Sequence, residues 1–325
     1  MQPSRLVLAI TLASGLLVGC DQATPPSAWH QTATLGVFSA DLSEDGRYAI
    51  IGAQEEGGSL WDINSNARLF DWNHKGGERT IIAESGFSPD GRYAVTANQQ
   101  DLVLWQTATG QASGYWSSPG EILDLALSPD ANYALLGLAN HEAVYFDIKN
   151  GGVKQTLRHN ARVRSVALSA DSSLAVTGSD DYKTTIWDMH TGQSLQQLTL
   201  NNIIDVVAMA PQGNLAFSAS SLDQAVLWDT QTGKIRFTLS STEGFFPKRV
   251  SYVAARFSPD GQQLITGTAS GLIQLWNTQT GSELKAWRAH KKEAYGPTST
   301  SIFAVGFGSG KYYAIGSNGI INILQ

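Results

Sequence analysis

His159, Thr177 and Asp181 are the side-chain types that a hydrolase combines as base, nucleophile and orienting acid. A second candidate is the run Gly306-Phe307-Gly308-Ser309-Gly310-Lys311, whose glycines and lysine suggest a phosphate-cradling loop. Its first-to-last glycine spacing is one residue short, however, and Tyr312 stands where Ser or Thr must reach magnesium. The six histidines, at 30, 74, 141, 159, 190 and 290, include no pair at metal-ligand spacing, so no metal site and no cofactor is expected. A net charge of -6 leaves nothing like the basic stripe that a nucleic-acid backbone demands.

Cys20 is the one cysteine, which excludes an internal disulfide and concentrates attention on its surroundings. It ends the run Leu17-Val18-Gly19-Cys20, preceded by Arg5 and a mostly apolar stretch over residues 6–18. A charged start followed by about 13 apolar residues reads as a secretory signal, and is too short for the ~20 residues that span a bilayer. Small residues before the cysteine resemble the bacterial lipobox, which implies acylation of Cys20 and removal of residues 1–19. Two or more acyl chains would make a lasting anchor. Asp21 resembles the signal that retains lipoproteins at the periplasmic face of the inner membrane, with the outer membrane as the alternative. Residues 20–28, with Thr24-Pro25-Pro26, read as a stiff tether, and the folded domain is expected over 29–325, beginning near Trp29.

What could position these groups is a repeat. An apolar strand, a Ser-Pro-Asp-Gly-like turn, two more strands, a Thr-Gly turn and a fourth strand recur down the chain. The third strands close on Leu60-Trp61-Asp62, Leu104-Trp105-Gln106, Tyr145-Phe146-Asp147, Ile186-Trp187-Asp188, Leu227-Trp228-Asp229 and Leu275-Trp276-Asn277, 41 to 48 residues apart. A seventh unit closes on Leu324 without a Trp. It lacks a fourth strand, which Trp29 to Thr34 would supply from the other end of the chain.

Four short strands per unit and a Trp-Asp closure resemble the WD40 repeat, over everything after Trp29. The resemblance implies an all-β, seven-bladed β-propeller, with its ring closed by the N-terminal strand. It also implies that His159, Thr177, Asp181 and Trp187 are the family's structural tetrad rather than a catalytic set, and no enzyme activity is expected. In other units the Asp position holds Gln99, Leu222 or Ser270. The glycine-rich run aligns with the Ser-Pro-Asp-Gly turn and is expected to be a turn. Glu84 and Asp124 occupy equivalent places on innermost strands, where each is expected to meet water in the central channel.

Extra length in one type of connection marks a binding face in repeat proteins. The two 48-residue intervals carry their surplus before the first strands of units six and seven. One connection includes Phe245, Phe246, Lys248 and Arg249; the other includes Lys291, Lys292 and Tyr295. Aromatics with cations are a mixture typical of interface hot spots. The function expected is a membrane-anchored scaffold for other envelope proteins. An envelope assembly factor and a propeller enzyme working on a small molecule in the channel are the alternatives.

Overall fold

The computed structural model describes residues 23–239, 250–292 and 300–325. They form seven four-stranded antiparallel sheets and no helix. Blade 1 comprises Val37–Leu42, Tyr48–Ala53, Gly57–Asp62 and Ala67–Asp71; blade 2 comprises Glu84–Phe87, Tyr93–Ala97, Asp101–Gln106 and Ala112–Ser117. Blade 3 holds Ile122–Leu127, Tyr133–Leu138, Glu142–Asp147 and Val153–Arg158, and blade 4 holds Val163–Leu168, Leu174–Ser179, Lys183–Asp188 and Ser194–Thr199. Blades 5 and 6 run Ile204–Met209, Leu215–Ser220, Ala225–Asp229, Ile235–Thr238 and Tyr252–Phe257, Gln263–Thr268, Leu272–Asn277, Glu283–Arg288. In each, sequence order is spatial order, from the channel to the rim.

Blade 7 breaks that rule, as its missing strand requires. Ile302–Gly308, Lys311–Gly316 and Ile320–Leu324 are completed at the rim by Ala28–Gln31, which pairs antiparallel with Ile320–Leu324. Both chain ends therefore share one sheet, and the ring is closed without an unpaired third strand. Contact with the propeller begins earlier than Trp29. Thr24 donates its amide to Ala286 O at 3.0 Å and accepts from Arg288 N at 2.9 Å, and Ser27 N reaches Ile323 O at 2.8 Å. The segment expected to be a stiff tether thus adds itself to the rims of blades 6 and 7. Extended backbone beside an open sheet edge satisfies its polar groups there whatever its side chains are, which is why composition did not reveal it.

Turn chemistry explains the repetition. Ser43 Oγ donates to Asp45 Oδ1 at 2.6 Å while accepting Tyr48 N at 2.8 Å, and Asp45 also accepts Arg47 N. The same Ser-Asp clasp recurs at Ser88, Ser128, Ser169 and Ser258. Gly46 ends the first of these turns at a φ of 68°, which a side chain would strain. In the Thr-Gly turn of blade 6, which lies beside the Ser-Asp turn of that blade, Gly281 adopts 70° with the Phe237 ring where a Cβ would stand. The glycine-rich run over 306–311 is indeed such a turn, joining Ile302–Gly308 to Lys311–Gly316.

Apolar alternation on the two middle strands of each blade faces both neighbouring blades. Buried side chains such as Trp72, Trp228, Trp276, Trp287 and Phe217 fill the wedges between sheets. In blades 1 to 6 the ladder between third and fourth strands shifts register at the closing aromatic, between Leu60 and Trp61 in blade 1 and at the equivalent residues after it. These bulges twist the outer strand and make room for the ring.

Candidate interaction surface

In blade 4 the structure brings together all four residues of the expected tetrad. Trp187 Nε1 donates to Thr177 Oγ1 at 2.8 Å, Thr177 Oγ1 lies 2.8 Å from His159 Nε2, and His159 Nδ1 lies 3.6 Å from Asp181 Oδ2. Burial holds the imidazole below its ordinary pKa, so it is neutral. A neutral ring with Nδ1–H toward Asp181 leaves Nε2 to accept from the threonine hydroxyl, giving one directed chain from Trp187 to Asp181. Asp181 further accepts Asn160 N and Lys183 N, each at 3.1 Å. Every member is occupied in joining strands, and the hydroxyl is spent between an indole and an imidazole. The arrangement braces a blade rather than attacking a substrate.

Blade 2 holds a shorter version that counting along the sequence missed. Trp105 Nε1 donates to Thr96 Oγ1 at 2.8 Å and His74 Nε2 lies 3.1 Å from the same oxygen, but His74 Nδ1 is buried without a partner. The signal was present in the alignment of Thr96 with Thr177 and Trp105 with Trp187. The longer connection before blade 2 put His74 at a different separation. Blades 5 and 6 keep only the indole-to-hydroxyl bond, Trp228 to Ser218 at 3.0 Å and Trp276 to Thr266 at 2.9 Å. In blade 7 the buried amide of Asn322 takes over, accepting His290 N at 2.7 Å and donating to Ala314 O.

The innermost strands line a central channel of about 510 Å³. Asp124 is not simply in channel water. One carboxylate oxygen accepts Val166 N of blade 4 at 2.7 Å and the other accepts its own neighbour's amide, Leu125 N, at 2.8 Å. Ser165 one blade on repeats the reach, accepting Val207 N at 3.1 Å. Because Leu125 N is taken by Asp124, the equivalent Glu84 of blade 2 makes no hydrogen bond and stands in the channel wall beside the Asp124 carboxylate. Burial pushes Asp124 up to about 6, against the pull of its amide bonds, and burial together with the Asp124 charge pushes Glu84 well up. Both carboxylates line the channel, and Asp124 in addition reaches along the wall to the next blade.

A second wall contact ties blades 6, 1 and 2 together. Arg256 of blade 6 bonds Asp41 and Leu42 O of blade 1, while Asp41 Oδ2 accepts Phe87 N of blade 2 at 2.9 Å. Farther round, Asp180 accepts Arg162 Nε at 2.9 Å and is also bonded by Arg164. Among the described residues no group of three His, Cys, Asp or Glu could hold a metal, and no helix is long and apolar enough to cross a membrane.

One face of the ring carries the connections between blades. On it, large apolar groups stand in water within a single sector: Leu35 at 61 % exposure in the connection to blade 1, Ile81 at 62 % in the connection to blade 2, and Phe38 and Phe303 near the starts of the innermost strands of blades 1 and 7. The two phenylalanines also line the channel mouth. Sequence reasoning passed them over, although aligning the second residue of each innermost strand sets them apart from Arg164 and Asp205. Lys291 and Lys292 are exposed on the same face, and Lys292 Nζ reaches Thr34 O. Phe245, Phe246, Lys248, Arg249, Tyr295 and Cys20 lie outside the described residues.

The blades and their channel define a seven-bladed β-propeller. The WD domain, G-beta repeat family matches residues 151–188 and 237–277, so WD40 repeats are found within this seven-bladed ring. No curated protein matches the chain. Propellers of this kind typically mediate protein–protein interaction and are generally not enzymes.

Proposed function

We propose that this chain is a scaffold of the bacterial cell envelope, held on a membrane by acylated Cys20, that presents its connection face to a protein partner. The observation that carries the reading is the exposed apolar sector of Leu35, Phe38, Ile81 and Phe303 on the connection face, where the two phenylalanines line the channel mouth. Contiguous apolar groups in water are costly unless another surface covers them. A closed ring holds the four at fixed separations, so little ordering entropy is spent when a partner docks. Phe245, Phe246, Lys248, Arg249, Lys291, Lys292 and Tyr295, in the connections before blades 6 and 7, are assigned to the same partner contact, with the aromatics as anchors and the cations beside them.

The test is chemical crosslinking in native membranes followed by capture through this chain. Phe38→Ala with Phe303→Ala should reduce the captured partner at least tenfold with folding unchanged. Substituting Thr191, Gln231 and Gln279 in turns of the opposite face should leave capture intact. The converse pattern assigns the binding surface to the other face. Acyl labelling of the wild type, abolished in Cys20→Ser, tests the anchor; labelled palmitate absent from the wild type removes it.

A further inference from the structure

Charge is divided unevenly along the ring. Residues 234–325, which run from the rim of blade 5 to the end of blade 7, hold ten of the 22 Lys and Arg but only four of the 28 Asp and Glu. An acidic protein therefore has a cationic sector. Within it Lys234, Lys285 and Lys311 are exposed, Arg236 is paired with Asp229, and the described acids are Asp260 and Glu283, the latter bonded to Gln274. Exposed apolar groups share the rim: Leu284 on the outermost strand of blade 6, Ile235 on that of blade 5, and Trp29 on that of blade 7, where its ring stacks on His290 at 4.3 Å.

The chain joins the fold at this sector. Thr24 is bonded on both sides to the rim strand of blade 6, and the next strand, Ala28–Gln31, is the rim of blade 7. Only three residues separate Thr24 from Cys20. The four steps between them, fully extended at about 3.3–3.6 Å each, reach no more than about 14 Å. Electrostatic attraction to a charged surface extends over a Debye length of about 8–10 Å at physiological salt. An anchor at Cys20 would therefore hold Lys285 and Trp29 of the blade 6 and 7 rims within or near the range of lipid headgroups, and Trp and Lys are the side chains that settle at a membrane interface.

We infer that the rim of blades 6 and 7 rests against an anionic lipid surface, so that the propeller stands on its edge with both ring faces open to water. This rests on the acylated Cys20 of the preceding section for its geometry, but the rim chemistry is separable from it. Edge-on seating explains how a short tether leaves the apolar channel mouth free for a protein. A ring seated on that mouth instead would bury Leu35, Phe38, Ile81 and Phe303 in lipid.

The experiment uses the full chain, purified from membranes and placed in vesicles of phosphatidylcholine with or without phosphatidylglycerol. A fluorophore is attached at Leu284→Cys on the blade 6 rim or at Tyr115→Cys on the blade 2 rim, and nitroxide headgroups act as quenchers. Quenching at position 284 should exceed that at 115 several-fold in the anionic vesicles. Lys285→Glu, on the rim strand of blade 6, should bring the two positions closer together without loss of the acyl chains. Equal quenching at both positions, or a preference that survives the charge reversal, overturns edge-on seating. Mass spectrometry of Cys20 reads the anchor independently. Should it carry no acyl chain, the anchor alone fails, and sedimentation of the chain with phosphatidylglycerol vesicles decides the rim: charge reversal must weaken it several-fold, and sedimentation unaffected by the reversal overturns the proposal.

Discussion

Blades 2 and 4 are built on the same three side chains and differ in how the chain of hydrogen bonds ends. In blade 4 it runs from Trp187 through Thr177 and His159 to Asp181. In blade 2 it runs from Trp105 through Thr96 to His74 and stops at a buried Nδ1 with nothing to bond. The same two blades differ at the channel. Blade 4 places Ser165 where it receives Val207 N, whereas blade 2 places Glu84, longer by enough to lie beside Asp124 and to find no donor. A repeat thus specifies the frame of every blade, while single substitutions decide whether the polar groups inside are satisfied. Fully satisfied networks brace a blade, and half-satisfied ones cost it stability.

The largest expected effect sharpens this contrast. His159→Ala should destabilise the fold by ~1–3 kcal/mol, because Thr177 and Asp181 lose a buried partner. His74→Ala should cost less than about 1 kcal/mol, since it also removes an orphaned donor. Urea unfolding of the two variants makes the comparison, and equal costs would break it.

An intermediate effect belongs to the channel wall. Asp124 and Glu84 both have raised pKa values, so the folded state holds their protons more tightly than the unfolded chain does. The contribution of Asp124 is therefore fully present below the unfolded carboxylate range near 4 and is lost as pH rises through about 6, and that of Glu84 is likewise lost as pH rises above the ordinary carboxylate range. The melting temperature should fall over that window, and Glu84→Gln should flatten the fall by removing one of the two charges. An unaltered pH profile in that variant would show that the two carboxylates do not interact. The smallest effect is a repair: Gln99→Asp, at the position of Asp181, should give His74 Nδ1 an acceptor and raise stability by ~0.5–1 kcal/mol. Thermal unfolding no higher than wild type would mean that Gln99 does not face His74.

The sequence made the frame legible for a physical reason. Turn residues and closing aromatics repeat because each blade must solve the same backbone problem, so Ser43 with Asp45, Trp187 and the missing seventh fourth strand could all be read by alignment. The tetrad of blade 4 was legible in the same way. Contacts between blades were not. Arg256 meets Asp41 across more than two hundred residues, and Asp124 meets Val166 of the next sheet beside a register shift in its own strand. Neither pairing has a local signature. The bonding of Thr24 to blade 6 is backbone alone and leaves no mark on side-chain pattern, and the apolar mouth is assembled from four residues that are unremarkable one at a time.

The account makes the N-terminal segment part of the fold: the residues that lead from the proposed anchor are also the ones that close the ring. Hydrogen exchange at the amides of Ile320–Leu324 tests this most directly, comparing the intact chain with one lacking Ala28–Gln31. Those amides lie in the third strand of blade 7, covered by the N-terminal strand on one side and by Lys311–Gly316 on the other. Deletion should speed their exchange by orders of magnitude and lower the melting temperature of the whole ring, while removal of residues 22–27 should produce a smaller loss confined to the rims of blades 6 and 7. Exchange at Ile320–Leu324 unchanged by the loss of Ala28–Gln31 would contradict closure by the N-terminal strand.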